Sequence, residues 1–298
     1  MIDYTKLLPE HMEKYLGEND LFLEIFKGNS KDARGDKKSP LLFVHGAYTG
    51  SWMWSKYIPH FVEAGYRCHA MNLRSHYKSR TMDMTRISFE DYLEDIRENI
   101  LECGEPPILV GFSMGGILCQ KIAEEGTVAG LVLVDTSISR EVNIIAPYEN
   151  PMEDTLGIVM PAPVRDEDSI DESMDDIDFQ KKYLAMESSQ AIGAMACWIQ
   201  GKEGISIDSS RITCPCLVIK AGISERDDLQ GKATAEQLKG EYLALWNTSH
   251  TGLLVGKRYQ EAVDRILEWL HFHREKHCYE WHTISYSYNR RLQSGCDL

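Results

Sequence analysis

Ile108-Leu-Val-Gly-Phe-Ser113-Met-Gly-Gly-Ile-Leu118 changes its periodicity halfway along. Ile108 to Val110 is a short apolar run of the kind that makes a buried strand, and from Met114 to Glu125 the residues Ile117, Leu118 and Ile122 fall on one helical face. Between the two lies Gly111-Phe-Ser113-Met-Gly115, a Gly-x-Ser-x-Gly turn in the strand-to-helix setting that such a turn requires. The backbone there is cramped, and side chains at Gly111 and Gly115 would collide with neighbouring chain. Ser113 is therefore expected at the carboxyl end of a strand, in front of a helix N-terminus whose N–H groups and dipole favour developing negative charge. It is the candidate nucleophile.

Outward from this stretch the same alternation repeats. Leu41-Leu-Phe-Val44, Arg67-Cys-His-Ala-Met71, Ile108-Leu-Val110, Leu131-Val-Leu-Val134, Cys216-Leu-Val-Ile219 and Tyr242-Leu-Ala-Leu245 read as central strands. Helices are expected over Phe89–Leu101, Met114–Glu125 and Tyr259–Phe272, which predicts an α/β class with a mostly parallel central sheet and helices on both faces. Leu21–Phe26 is predicted as an antiparallel edge strand, and the polar Gly28–Ser39 as its exposed turn. From 137 to 210 the alternation stops: Pro147, Pro151, Pro161 and Pro163 precede an acidic run from Asp166 to Asp178. This stretch reads as an inserted cap, loop-like at first and helical over Phe179–Ile199, with the acidic run a solvated face. The expected division is a core of 1–136 and 211–272, the cap at 137–210, and a tail at 273–298 of no assigned role.

Net charge of −14 and a pI near 5.2 argue against nucleic acid or an anionic surface as partner, since phosphate binding needs clustered Lys and Arg. A small-molecule substrate is expected instead. No run is long and apolar enough to span a membrane, and Met1–Gly17 lacks a basic start followed by an apolar core, so a cytoplasmic protein is expected. The eight cysteines then read as reduced thiols, and Cys214-Pro-Cys216 has no second Cys/His pair at zinc spacing. Neither metal nor cofactor is expected.

Asn247-Thr-Ser-His250-Thr-Gly252 follows the last central strand and makes His250 the candidate general base. His45-Gly46-Ala47 closes the first central strand. In a sheet that sets this turn beside Ser113, the backbone N–H groups of Ala47 and Met114 are the donors to an oxyanion, and His45 supports the turn. The carboxylate that orients the base is expected after Cys216–Ile219, where Glu225, Asp227 and Asp228 all qualify, Glu225 first by its spacing from Gly222. Asp135 is an outlying candidate, with capping of a strand-to-loop turn its expected task. Gly46, Tyr48, Trp52, Met186 and Trp198 are candidate substrate contacts, although packing is the first reading for Trp52 and Trp54 and pocket lining the second. Met152, Met160, Met174, Met186 and Met195 would give the cap an adaptable apolar lining.

With these residues placed, the chain resembles the α/β-hydrolase superfamily from about Leu21 to Phe272, in its lysophospholipase-like and carboxylesterase branch. Phe43-Val-His-Gly-Ala-Tyr-Thr-Gly-Ser-Trp-Met-Trp54 looks like the segment those enzymes and plant methylesterases share, and Val110–Gly116 and Ser249–Leu254 are similar to their serine and histidine segments. The resemblance implies a serine hydrolase that cleaves a carboxylic ester, a lysophospholipid, thioester or lactone among them, through an acyl-enzyme on Ser113. Medium acyl or aromatic esters suit the methionine-rich cap, and hydrolysis is expected to fade below about pH 6 as the imidazole protonates. A cofactor-free perhydrolase, a carbon–carbon bond hydrolase and a ligand receptor on the same scaffold are the alternatives. Relatives carry Leu-Arg-Gly-His-Gly-x-Ser where this chain has Leu73-Arg-Ser-His-Tyr-Lys-Ser79, so Ser75 and Tyr77 must tolerate a glycine turn or the turn has changed shape.

Overall fold

Each apolar run read as a central strand forms one. The computed structural model describes residues 2–28, 38–165 and 169–273. Most of the expected turn over Gly28–Ser39, the head of the acidic run and the tail beyond 273 lie outside the described residues. In chain order the elements are β1 (His11–Leu16), β2 (Leu21–Phe26), β3 (Leu41–Val44), α1 (Ile58–Glu63), β4 (Cys68–Met71), α2 (Phe89–Cys103), β5 (Ile108–Phe112), α3 (Met114–Ala123) and β6 (Gly130–Val134). There follow α4 (Arg140–Ile145), β7 (Val159–Met160), α5 (Met174–Tyr183), β8 (Glu187–Ser188), α6 (Ser189–Met195), β9 (Cys216–Gly222), α7 (Glu225–Leu238), β10 (Glu241–Trp246), α8 (Gly252–Val255) and α9 (259–273).

Eight of these strands form one sheet in the order β1-β2-β4-β3-β5-β6-β9-β10, parallel from β4 to β10. Period-two alternation sends successive side chains to opposite faces. On β5, Leu109 packs under α2 and α3, while Val110 and Phe112 join Phe43, Val134, Ile219 and Ile266 on the face of α1 and α9. Both faces are buried, which is why the strands are apolar throughout. The expected edge is corrected: Leu21–Phe26 pairs on both sides, with β4 and with β1, and the edge is the half-exposed His11–Leu16. Met12, Glu13 and Tyr15 on it are exposed, as residues of an unpaired edge can be.

The connection from β6 to β9 leaves the sheet. It is more structured than expected: α4 lies in its first half, and the helix expected over 179–199 is two helices, α5 and α6, separated by β8. Glu187 on β8 explains the break. Its buried carboxylate accepts hydrogen bonds from Tyr92 Oη at 2.5 Å, His76 Nε2 at 3.0 Å and the Tyr48 N–H at 3.1 Å, so the chain must dip inward there. Burial opposes the charge on Glu187, but the His76 imidazolium facing it holds the carboxyl below its usual range and is itself raised in return. Among the described residues no helix is long and apolar enough to cross a membrane.

Removing the carboxylate strands a phenol, an imidazole and a backbone donor in the interior. Glu187→Ala is expected to cost about 3 kcal/mol in urea unfolding. In the native protein the pair's contribution is full between the usual carboxylate and imidazole ranges, and it fades as pH rises through the raised His76 value.

Candidate active site

Three adjacent parallel strands, β3, β5 and β6, end at one level. Val44 lies opposite Gly111, and Phe112 lies opposite Val134, so the residues that follow are neighbours at the carboxyl edge. The Ser113 N–H donates to the Val134 carbonyl at 3.3 Å, and the Ser137 N–H donates back to the Ser113 carbonyl at 3.0 Å. Ser113 itself has φ 52° and ψ −119°, a conformation a non-glycine residue adopts only when its surroundings compel it. The compulsion is visible at Gly115. A methyl there would run into the Val44 and His45 carbonyl oxygens, and one on Gly111 would meet the Gly115 carbonyl. Only glycine lets α3 start this close to β3.

The structure brings His250 to Asp135. The imidazole Nδ1 donates to Asp135 Oδ2 at 2.5 Å, which leaves Nε2 carrying the lone pair of the neutral ring. The ring stacks on Phe112 at 4.6 Å between centroids and is half exposed, while Asp135 is 5% exposed. The expectation that Glu225, Asp227 or Asp228 partners the histidine is corrected. All three fall in the first turn of α7, where Ser224 and Asp227 form a capping box. Asp227 Oδ2 accepts from the Ile223 and Ser224 N–H groups, and Asp228 is held by Tyr242 Oη at 2.9 Å and Lys232 at 2.6 Å.

Asp135 has a second partner that sequence reasoning missed. Lys220 Nζ lies 2.6 Å from Oδ1; Asp135 is buried and the lysine side chain mostly so. Burial alone would raise the carboxyl, but the Lys220 charge, then that of His250, brings it down to about 2. Lys220 is correspondingly raised against its own burial by Asp135. The signal for this pairing lay in register alone, since Val134 sits opposite Ile219 and the next residues are neighbours.

The turn after β3 carries Ala47, whose N–H has no hydrogen-bond acceptor among the described residues. Met114 supplies the first N–H of α3 and its side chain is buried. His45 is buried beneath this turn. Its Nδ1 meets the Gly46 carbonyl at 2.8 Å and its Nε2 accepts the Leu73 N–H at 3.1 Å. Burial, and then the neighbouring His76, lowers its pKa to about 3, so it is neutral and braces the turn. Ser75 and Tyr77 stand at φ 65° and 49°, the conformation that glycine would take more cheaply, and Ser75 Oγ accepts the Met82 N–H at 2.7 Å in partial compensation.

Two cavities meet at Ser113, Trp198 and His250. The larger, about 420 Å³, is mostly apolar, lined by Tyr48, Met152, Leu156, Met160, Ile192 and Met195, with Glu153, Arg165, Gln180 and several hydroxyls as its polar part. The smaller, about 320 Å³, is polar, with Asp135, Ser137, Tyr148, Lys220 and Asp227 in its wall. Of the expected substrate contacts, Tyr48 and Trp198 line a cavity and Gly46, Trp52 and Met186 line neither. Gly46 packs against Phe112 and Ser113, Trp52 is buried against Phe179 and Tyr183, and Met186 is exposed. The acidic run is not merely a solvated face. Asp171 Oδ1 accepts from the Ser249 N–H at 3.1 Å and its hydroxyl at 2.7 Å, and Glu172 accepts from Thr251 Oγ1 at 2.9 Å, so two buried acids grip the loop that carries His250.

A third hollow lies against Pro9 to Met12 on the antiparallel edge. Beside it His11 Nε2 stands 3.5 Å from Glu24 and 4.0 Å from Glu13, the one group among the described residues with the makings of a cation site. Lys78 already reaches Glu13 at 2.7 Å and supplies positive charge there. The six described cysteines are free thiols.

A parallel α/β sheet with a serine on a strained strand-to-helix turn and a histidine–aspartate pair beside it defines a hydrolase-type scaffold. Residues 41–265 match the model of the alpha/beta hydrolase family, and the chain belongs to that family. Over 85 residues it is 34% identical to methylesterase 3 of Arabidopsis thaliana, covering 28% of this chain and 32% of that one. Over 84 residues it is 33% identical to an alpha-hydroxynitrile lyase of the same plant, covering 28% and 33%. The chain thus matches about a third of the length of these relatives. Among solved structures, a carboxylesterase structure from Nitrososphaera gargenis superposes with a TM-score of 0.64 at 15% identity, over 89% of this chain and all of that one. A monoacylglycerol lipase of Paleococcus ferrophilus gives 0.61 at 19% identity, over 84% and 98%.

With Lys220 gone, Asp135 would keep only the half-exposed imidazole to offset its burial. Lys220→Met is expected to lose about 3 kcal/mol at neutral pH, read from urea denaturation. Because a depressed carboxyl stabilises above its unfolded value and ceases to as pH falls through its folded one, acid unfolding of the variant should begin at a higher pH than in the native chain.

Proposed function

We propose that this protein is a serine hydrolase of carboxylic esters, with Ser113 as nucleophile, His250 as general base and Asp135 as the carboxylate that orients it. The observation that carries the reading is the 2.5 Å bond from His250 Nδ1 to buried Asp135, in a histidine that shares two cavities with Ser113. Nδ1–H donation fixes the tautomer whose Nε2 can take the serine proton, and the carboxylate stabilises the imidazolium that results. The Ala47 and Met114 N–H groups would receive the carbonyl oxygen as its charge grows. An acyl-enzyme forms, and water releases it with the same base.

The connection over 137–210 acts in this reading as a cap. Met152, Leu156, Met160, Ile192 and Met195 from it close the larger cavity over Ser113, and a volume of about 420 Å³ with this lining favours medium acyl or aromatic acyl groups. No metal or cofactor enters the reaction as drawn. Free thiols throughout the described chain agree with a cytoplasmic setting. The match to an alpha-hydroxynitrile lyase favours a second reading, cleavage of a carbon–carbon bond in an α-hydroxynitrile by the same three side chains.

A fluorophosphonate probe should label the native chain at Ser113 and leave Ser113→Ala unlabelled. Ester kcat is expected to fall by roughly 10⁶ in Ser113→Ala and His250→Ala and by about 10⁴ in Asp135→Asn. Glu225→Gln and Asp228→Asn should stay within about twofold of native, because neither carboxylate pairs with His250. Cleavage of an α-hydroxynitrile with no turnover of any ester would replace this proposal with the second reading.

A further inference from the structure

We propose that the smaller cavity receives the alcohol portion of the ester and that this portion is a neutral polyhydroxylated group, a polyol or a sugar; the inference rests on the esterase reading above. An ester held at Ser113 has two arms, and the serine has a hollow for each. The larger hollow is apolar and includes Ala47, the expected oxyanion donor, which suits the acyl arm. The smaller is built of a different chemistry. Tyr148 and Ser137 line it, and neither hydroxyl has a hydrogen-bond partner among the described residues. Tyr148 packs edge-on against Trp198, the side chain common to both hollows, at 6.3 Å between ring centroids.

The charges in this wall select among alcohols. Lys220 is the one cation among its described lining residues, and Asp135 holds it at 2.6 Å. Asp227 spends Oδ2 on the cap of α7 and keeps its other oxygen as an acceptor. A phosphodiester or carboxylate head group would meet two carboxylates and a lysine already neutralised. A simple alkyl alcohol would displace water from two hydroxyls and return nothing, at the desolvation cost of unpaired polar groups. A neutral polyol offers donors to Asp227 and both donors and acceptors to Tyr148 and Ser137. In the chemical step the Ser113 Oγ–carbon bond forms as its proton passes to His250, and the carbon–oxygen bond to the polyol breaks as His250 returns that proton to the leaving oxygen. The polyol departs as a neutral alcohol, beside the base.

The test uses the full chain and one medium acyl group esterified to ethanol, glycerol, a hexose and glycerophosphocholine. The glycerol and hexose esters should exceed the ethyl ester in kcat/KM by about tenfold, and the glycerophosphocholine ester should fall below both. Tyr148→Phe and Ser137→Ala should each shrink the polyol-to-ethyl ratio by about fivefold, the loss of one neutral hydrogen bond. Hydrolysis with equal rates for all alcohols, a preference for the phosphodiester, or a ratio unmoved in both variants overturns this inference and leaves the esterase reading standing. No turnover of any ester together with an unlabelled Ser113 removes the esterase reading and this inference with it.

Discussion

Val134 lying opposite Phe112 in a parallel ladder is the constraint on which the site depends. Parallel strands that stop at one level deliver their next residues side by side, and here those residues are the serine and the aspartate. The close start of α3 enforces the level. Gly115 rests against the Val44 and His45 carbonyls, so β5 cannot slide along β3 without a clash, and the turn that follows β3 is fixed by the same contact. The Ala47 N–H, Ser113 and Asp135, the groups of the proposed site, are thus set by backbone packing before any side-chain interaction is counted.

Electrostatics completes what register begins. Asp135 sits at φ 43°, buried, between an ammonium on Oδ1 and an imidazole on Oδ2. Water would serve such a carboxylate better than a protein interior does, and the hydrogen bonds from Lys220, His250 and the Ala221 N–H make the ionised form tolerable there. The arrangement has a consequence for the base. A carboxylate shared with a permanent ammonium has less charge to offer an imidazolium than one facing His250 alone, so in the proposed reaction Lys220 would act through Asp135.

The sheet, its parallel sense, the serine turn and the histidine loop were legible because each is a local pattern: apolar runs, glycines flanking a serine, a histidine after the last strand. The aspartate was not. Asp135 follows an apolar strand in the way that many turn residues do, and nothing in its own neighbours distinguishes it. Yet the sequence did hold the argument against its rivals. Ser224-Glu-Arg-Asp227 has the spacing of a capping box, with the serine and the aspartate bonded to each other's backbone N–H, and that spacing already places Glu225, Asp227 and Asp228 in the first turn of a helix. Gly46 and Trp52 line neither cavity for a related reason: proximity in sequence to the turn after β3 says nothing about which way a side chain packs.

The connection between β6 and β9 has a mechanical role that its composition concealed. Acidic residues in a run suggest a hydrated surface, but Asp171 and Glu172 are buried and bind the backbone and hydroxyls on either side of His250. Farther on, Glu187 binds the N–H of Tyr48, one residue from the expected oxyanion donor. One segment therefore grips the His250 loop at one end and the turn that carries Ala47 at the other, while its methionines and Trp198 wall the larger cavity between them. Movement of that segment would not merely open the cavity. It would loosen the His250 loop and the turn that carries Ala47 together, so in the proposed reaction access to the cavity and the geometry of the site are coupled through the same few carboxylates.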